Sequence, residues 1–213
     1  MTLLTKVVPP NLPIAKDEFT RLDEEYFRNV LRLYFNQLSQ LLNNVAGGIG
    51  GRYLQFPYAA IQRTTDVSFT ANTATQITFD QNDYLSGCAN DGTDGIEVSY
   101  EGIYNYQFSV QLRNADTQIH SAWIWLRKNG TDVSGTGSKF DVTSSHGGTD
   151  GFVIAACNFF VDLAAGDTIE MWAAVSDTHI TFDAAAAATS PFAMPAIPSV
   201  VATLSFVSTP PVA

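Results

Sequence analysis

From Tyr53 onward the apolar residues recur with a period of two, and Gly, Asn and Asp clusters separate one run from the next. The runs are YLQFPYAAIQ, TQITFD, GIEVSY, GIYNYQFSVQL, AWIWLRKNG, SKFDVTS, GFVIAACNFFVDL, DTIEMWAAV, HITFDA and SVVATLSFVS. No helical pattern lies between them to serve as a crossover, so a sandwich of the jelly-roll type is the economical reading. Nine or ten short strands of this kind fit a mainly β, jelly-roll sandwich. An immunoglobulin-like sandwich fits less well, because the Cys, Trp, Cys spacing is missing. Asn129 and Gly130, between Lys128 and Thr131, mark a two-residue hairpin turn. Residues 184–198, with an alanine run and three prolines, read as a surface loop before the last strand.

The first quarter of the chain follows different rules. Pro9, Pro10 and Pro13 deny helix to residues 1–15 and favour an extended anchoring arm. Residues 16–46 read as one helix, started by Asp17 and Glu18 and uninterrupted by Gly or Pro, and residues 47–52 as a glycine hinge. Within the helix, Phe27, Leu31, Tyr34, Leu38, Leu41 and Val45 are spaced 4, 3, 4, 3 and 4, the alternation of a coiled-coil seam. Backward extension meets Glu24 and Thr20, so the seam spans under three heptads. Two readings stay open at this point: an amphipathic helix packed on its own domain, or a self-associating seam. Residues 53–213 form the jelly-roll domain.

Composition narrows the partners. Of 213 residues 46% are hydrophobic and 15% charged, which implies that some apolar surface meets a partner. A formal charge of -10 disfavours nucleic acid and anionic membranes. The apolar patch in MTLLTKVVPPNLP is broken by proline before a signal-peptide core forms, and no run of about 18 apolar residues calls for a membrane-spanning helix. Cys88 and Cys157 are too few for a disulfide framework and read as buried thiols, their pairing undecided.

Two strands carry the functional argument. In HSAWIWLRKNG, Trp123 and Trp125 share one face while Ile124 and Leu126 share the other, so both faces are apolar. An antiparallel strand with one wet face should be polar there, and two tryptophans left in water would mark an interface. The alternative puts both tryptophans in the core, with Ile124 and Leu126 under a loop. In GFVIAACNFFVDL, Val153, Ala155, Cys157, Phe159, Val161 and Leu163 make a uniform apolar face, and Phe152, Ile154, Ala156, Asn158, Phe160 and Asp162 a mixed one.

Catalytic patterns are weak. His120, His146 and His179 are the imidazoles available, and none sits in a recognised motif. GTGSK lacks the length of a phosphate loop, and the oxygen spacing of NDGTDG at 90–95 does not match a calcium loop. No catalytic residue, metal site or cofactor is therefore expected. His146 with Thr149 and Asp150, in SSHGGTDG, forms a polar loop tip that is either a plain hairpin end or a contact to a host-surface glycan or protein.

YEGIYNYQFSVQL, AWIWLRKNGTDV, CNFFVDLAAGDTIEMWA and ATLSFVS, in that order, resemble the head domain of the tumour-necrosis-factor and complement-collagen superfamily. Gly102, Tyr104, Phe108, Asn129, Gly130, Leu163, Gly166, Asp167 and Phe206 carry the likeness. The arm, VLRLYFNQL, FPYAAIQRTTD, SSHGGTDG and NFFVDLAAGD also resemble small structural proteins of tailed bacteriophages, particularly those of marine bacteria. The first resemblance implies a TNF-like jelly roll and a homotrimer, with Trp123, Trp125 and Phe160 at the subunit interface. The second implies a non-enzymatic virion component assembled in the bacterial cytoplasm. That component is a tail-associated fibre or knob or, alternatively, a capsid decoration protein or head fibre, joined to other virion proteins by its arm and helix.

Overall fold

A computed structural model describes residues 9–12, 18, 20–46, 56–90 and 95–208, with the backbone alone at 44–46. The chain divides into two compact units, Met1–Gln55 and Phe56–Ala213. Most of the expected arm, all of the glycine hinge and most of NDGTDG lie outside the described residues.

The first unit contains helix α1, Arg21–Ala46. Sequence signals placed its start at Lys16, and the observed start is later because Thr20 and Asp23 cap it reciprocally. The Asp23 backbone N–H donates to Thr20 Oγ1 at 3.3 Å, and the Thr20 backbone N–H donates to Asp23 Oδ2 at 3.2 Å. This is a capping box with aspartate in the acidic position. Arg21 with Glu25, and Arg28 with Glu24, add ion pairs one turn apart. Phe27, Val30, Leu31, Tyr34, Leu38 and Leu41 are half-buried, while Leu22, Tyr26, Leu33, Phe35 and Leu42 are exposed. No described side chain of α1 is buried. The side chain of Val45 falls outside the described set.

The second unit consists of strands β1 Tyr58–Arg63, β2 Val67–Ser68, β3 Thr75–Ile77, β4 Gln81–Ser86, β5 Cys88–Ala89, β6 Ile96–Val98, β7 Gly102–Asn114, β8 His120–Lys128, β9 Thr131–Asp132, β10 Ser138–Val142, β11 Gly151–Leu163, β12 Thr168–Val175, β13 Ile180–Phe182 and β14 Val200–Ser208. They form two antiparallel sheets. One runs β2-β13-β7-β14-β1-β4, with β11 on the free side of β7. The other runs β10-β8-β12-β6-β5, with β3 beside β12 and β9 beside β8. The chain leaves the first sheet after β7, builds β8 to β10 in the second, and returns at β11, which is the crossing of a jelly roll. The fold is therefore mainly β, a jelly-roll sandwich with an N-terminal helix, as expected.

The core lies between the sheets and follows the period-two pattern. Tyr104, Tyr106, Phe108, Val110 and Leu112 of β7 are buried, as are Ala122, Ile124 and Leu126 of β8 and Ile169, Met171, Ala173 and Val175 of β12. β4, in QNDYLS, is too polar to be read as a strand from sequence; its pairing with β1 decides it. Between Lys128 and Thr131 the Asn-Gly turn has φ of 49° and 77°, both left-handed, as a type I′ hairpin requires. Residues 184–198 make a loop bridged at Ala185 with Ile197 and Ala188 with Met194.

Gly151 opens β11 where the backbone of Thr143 crosses it, and a Cβ there would overlap the Thr143 carbonyl oxygen. Gly151→Ala is expected to lower unfolding stability by about 2 kcal/mol through forced backbone displacement. Urea denaturation of the two proteins checks this, and an unchanged midpoint would refute it.

Candidate functional site

On the second sheet, β8 lies between β10 and β12, so its outward side chains meet neighbours from both. Ile124 and Leu126 are fully buried, and the tryptophans point out. This is the reverse of the arrangement with tryptophans in the core, and it follows from matching Ala122, Ile124 and Leu126 to the interior. Trp125 stands opposite Trp172, and Arg127 opposite Glu170. The Arg127 guanidinium lies 3.9 Å from the centre of the Trp172 ring and 5.9 Å from that of Trp125. Arg127 Nε donates to Asp132 Oδ1 at 2.6 Å, and Trp125 Nε1 donates to the same oxygen at 2.8 Å. Arg127 first, then Trp125, hold the Asp132 carboxyl below its usual range. Glu170, 8% exposed, accepts from Trp172 Nε1 at 2.8 Å and from the Gly130 N–H at 2.7 Å. Trp123 is covered less: it is 38% exposed, with Lys139 6.0 Å from its ring centre.

The first sheet presents a different surface. Phe152 is 55% exposed, and Ile154 and Phe160 are each 64% exposed on the outer face of β11. This is the mixed face identified in the sequence, and its partner face packs into the core. In the row at Phe160 lie Asn105, Ser205 and Tyr58, and in the next row Gln107, Thr203, Ala60 and Tyr84. A shallow trough lined by Gln107, Ser109, Ala156, Asn158, Val201 and Thr203 runs beside Phe160 and Ile154. Small side chains in the middle of the sheet and tall apolar ones on β11 create it. β11 is also an edge strand, with β7 as its only ladder partner among the described residues. Phe160 thus lies on the opposite sheet from Trp123 and Trp125; the structure does not bring these three together.

The SSHGGTDG tip is a tight turn. His146 and Thr149 exchange both backbone hydrogen bonds, at 2.8 and 3.1 Å, around Gly147 and Gly148 with φ of 61° and 81°. His146 and Thr149 are exposed, but Asp150 is engaged: Arg113 Nε donates to it at 2.6 Å, and Arg113 Nη1 to Asp183 at 3.3 Å. Of the other two histidines, His120 pairs with Asp116 at 2.7 Å and His179 with Asp177 at 2.6 Å. The hydrogen bond to Asp177 raises the His179 pKa above its ordinary value, with Asp177 and Asp116 adding charge attraction. Hydrogen bonds from the backbone and ring of His179 lower that of Asp177. Among the described residues no three His, Cys, Asp or Glu side chains gather in a metal-binding group. Cys88 and Cys157 are free thiols, and burial pushes Cys88 up to about 11, which leaves it a poor nucleophile.

Sequence reasoning did not single out Arg127, Trp172, Glu170 or Arg113. The alternation of Glu170, Trp172 and Ala174 against Ile169, Met171 and Ala173 was visible, but the register that sets Trp172 against Trp125 was not.

No protein-family model matches the chain, and no curated protein matches it. Among solved structures it is similar to the globular domain of a zebrafish complement 1qA protein, at 10% identity and a TM-score of 0.41, covering 73% of this chain and 99% of that one. It is also similar to the Eiger TNF from S. frugiperda, at 14% identity and a TM-score of 0.46, covering 75% of this chain and 99% of that one.

Arg127→Ala is expected to cost about 1–2 kcal/mol, because it removes the cation from both indole faces and leaves Asp132 without its guanidinium. Thermal unfolding followed by tryptophan fluorescence reads this, and an unaltered midpoint would reject it. The His179 pair contributes stability that is present below the unfolded imidazole value and is lost as pH rises through the raised folded value. The Asp177 contribution is present above the unfolded carboxylate value and is lost as pH falls through the lowered folded one. Both act together between those limits. An NMR titration should place the His179 midpoint above 6.5 and return it toward 6.5 in Asp177→Asn; equal midpoints in the two proteins would contradict the pairing.

Proposed function

We propose that the chain is a non-enzymatic structural protein of a bacteriophage virion, a homotrimeric surface appendage held together and anchored through α1. The observation that carries this reading is the heptad seam of α1, whose described side chains include none that is buried. Phe27, Leu31, Tyr34, Leu38 and Leu41 project from one stripe, and apolar stripes of this period are covered by like helices. A helix of 26 residues is about 39 Å long, the size of a short stalk. The outer face of β11 supplies a second surface suited to subunit contact, with Phe160, Ile154 and the trough beside them. A closed threefold assembly needs two different complementary patches on each subunit, and the raised β11 strip and the small-residue trough supply a tall and a hollow element. The exposed His146 and Thr149 tip is the candidate contact to a host-surface glycan or protein.

Placement on the tail, as a fibre or knob, and placement on the capsid, as a decoration protein or head fibre, use the same architecture. The tail reading leads because an exposed polar tip serves host contact. Antibody-gold microscopy on virions, with serum against residues 56–208, separates them: label at the tail or collar supports the first, label over the head the second, and unlabelled virions reject both. Leu31→Asp together with Leu38→Asp should convert the trimer to monomer in sedimentation and abolish incorporation, with near-UV circular dichroism of the sandwich unchanged. A trimer that persists in this variant would overturn the role given to α1.

A further inference from the structure

The outer face of the second sheet holds three tryptophans, of which two are accounted for. Trp125 and Trp172 have their indole N–H groups on Asp132 and Glu170, and Arg127 lies over their rings. Trp123 differs in its indole N–H and in its cover, with the Lys139 ammonium 6.0 Å from its ring centre in place of the guanidinium. Its N–H makes no hydrogen bond to another described residue, and it is the most exposed of the three. Its cross-strand neighbour on β12 is Ala174, whose methyl group is too short to cover an indole. On the β10 side stands Lys139, directly opposite in register, followed by Asp141 opposite Ser121. These three are linked: Lys139 Nζ lies 2.9 Å from Asp141 Oδ1, and Ser121 Oγ donates to the same oxygen at 2.6 Å.

The result is an aromatic face, open above Ala174 and bordered along one edge by an ammonium, a carboxylate and a hydroxyl. A flat apolar surface ringed with donors and acceptors matches a ligand that is itself amphipathic in the same geometry. A pyranose ring is such a ligand, because its axial C–H groups form an apolar face and its hydroxyls radiate from the edge. A protein partner fits less well. Docking over Trp123 would bury Lys139 and Asp141, whose side chains are 51% and 58% exposed, at a desolvation cost that a single indole does not offset. The formal charge of -10 also disfavours anionic ligands, which points to a neutral sugar. The platform is rigid, since β8 is paired on both sides along this segment.

We propose that Trp123, with Lys139, Asp141 and Ser121, forms a carbohydrate-binding platform that stacks one neutral pyranose residue of an oligosaccharide on the indole face. The indole takes the C–H face of the sugar. Lys139 donates to ring-edge hydroxyls, and Asp141 accepts from them. This site stands apart from the His146 tip and does not depend on placement in a virion.

The test uses the full chain. It is applied to an array of neutral oligosaccharides built from glucose, galactose, mannose, N-acetylglucosamine and N-acetylgalactosamine, and the strongest binder is then titrated by calorimetry. Binding to at least one of these is expected, with affinity lowered at least tenfold by Trp123→Ala, partly retained by Trp123→Phe, and lowered severalfold by Asp141→Asn. Near-UV circular dichroism and sedimentation of each variant should match the unaltered protein. Three results would overturn the proposal: no binding on the array, equal binding by Trp123→Ala, or a loss of oligomer in Trp123→Ala, which would assign this face to a second copy of the chain.

Discussion

Thirteen consecutive residue pairs join β7 to β11, from Asn114 with Gly151 to Gly102 with Leu163, and the sandwich is organised around that ladder. Each pair sets one side chain of either strand toward the interior or away from it, so the whole ladder has only two possible parities. With Tyr104, Tyr106, Phe108, Val110 and Leu112 inward, β11 must place Ala155, Val161 and Leu163 inward as well. Phe152, Ile154 and Phe160 are then outward regardless of their own hydrophobicity. The exposed apolar strip on β11 is thus a consequence of the ladder, and it supplies the surface that an assembly would cover.

The same constraint governs β8, with a different outcome. There the outward tryptophans are handled within the subunit, because the second sheet places Trp172 and Arg127 beside Trp125 and brings Asp132 from the hairpin turn. A guanidinium between two indoles, anchored by a carboxylate, turns an apolar face into one compatible with water. Glu170 completes it by tying the Gly130 turn to Trp172, so the Asn-Gly hairpin and the aromatic row support each other. Trp123, one step further along the strand, lies beyond the reach of this cluster.

Much of this was legible in the residues. The helix, the heptad spacing, the mixed face of β11, the Asn129-Gly130 hairpin and the jelly-roll class all follow from periodicity and turn chemistry acting over a few residues. The start of the helix was misplaced because Thr20 and Asp23 cap each other, whereas Asp17 and Glu18 merely suit a first turn. QNDYLS was not recognised as β4 because its pairing with β1, including Gln62 with Asp83, comes from 20 or so residues away. Asp150 looked like a free loop carboxylate, and Arg113 of β7 claims it.

What the sequence by itself determined is the alternation of side chains along each strand and helix, since that is a local property of backbone geometry. Which strand lies beside which, and therefore whether an outward aromatic finds a partner, was decided only in the tertiary structure. Trp125 and Trp172 are separated by 46 intervening residues and two crossings in the chain, yet they stand directly opposite in the sheet. No local pattern encodes such a pairing, because it arises from closing the two sheets over one core, and that closure separates the covered tryptophans from the open one.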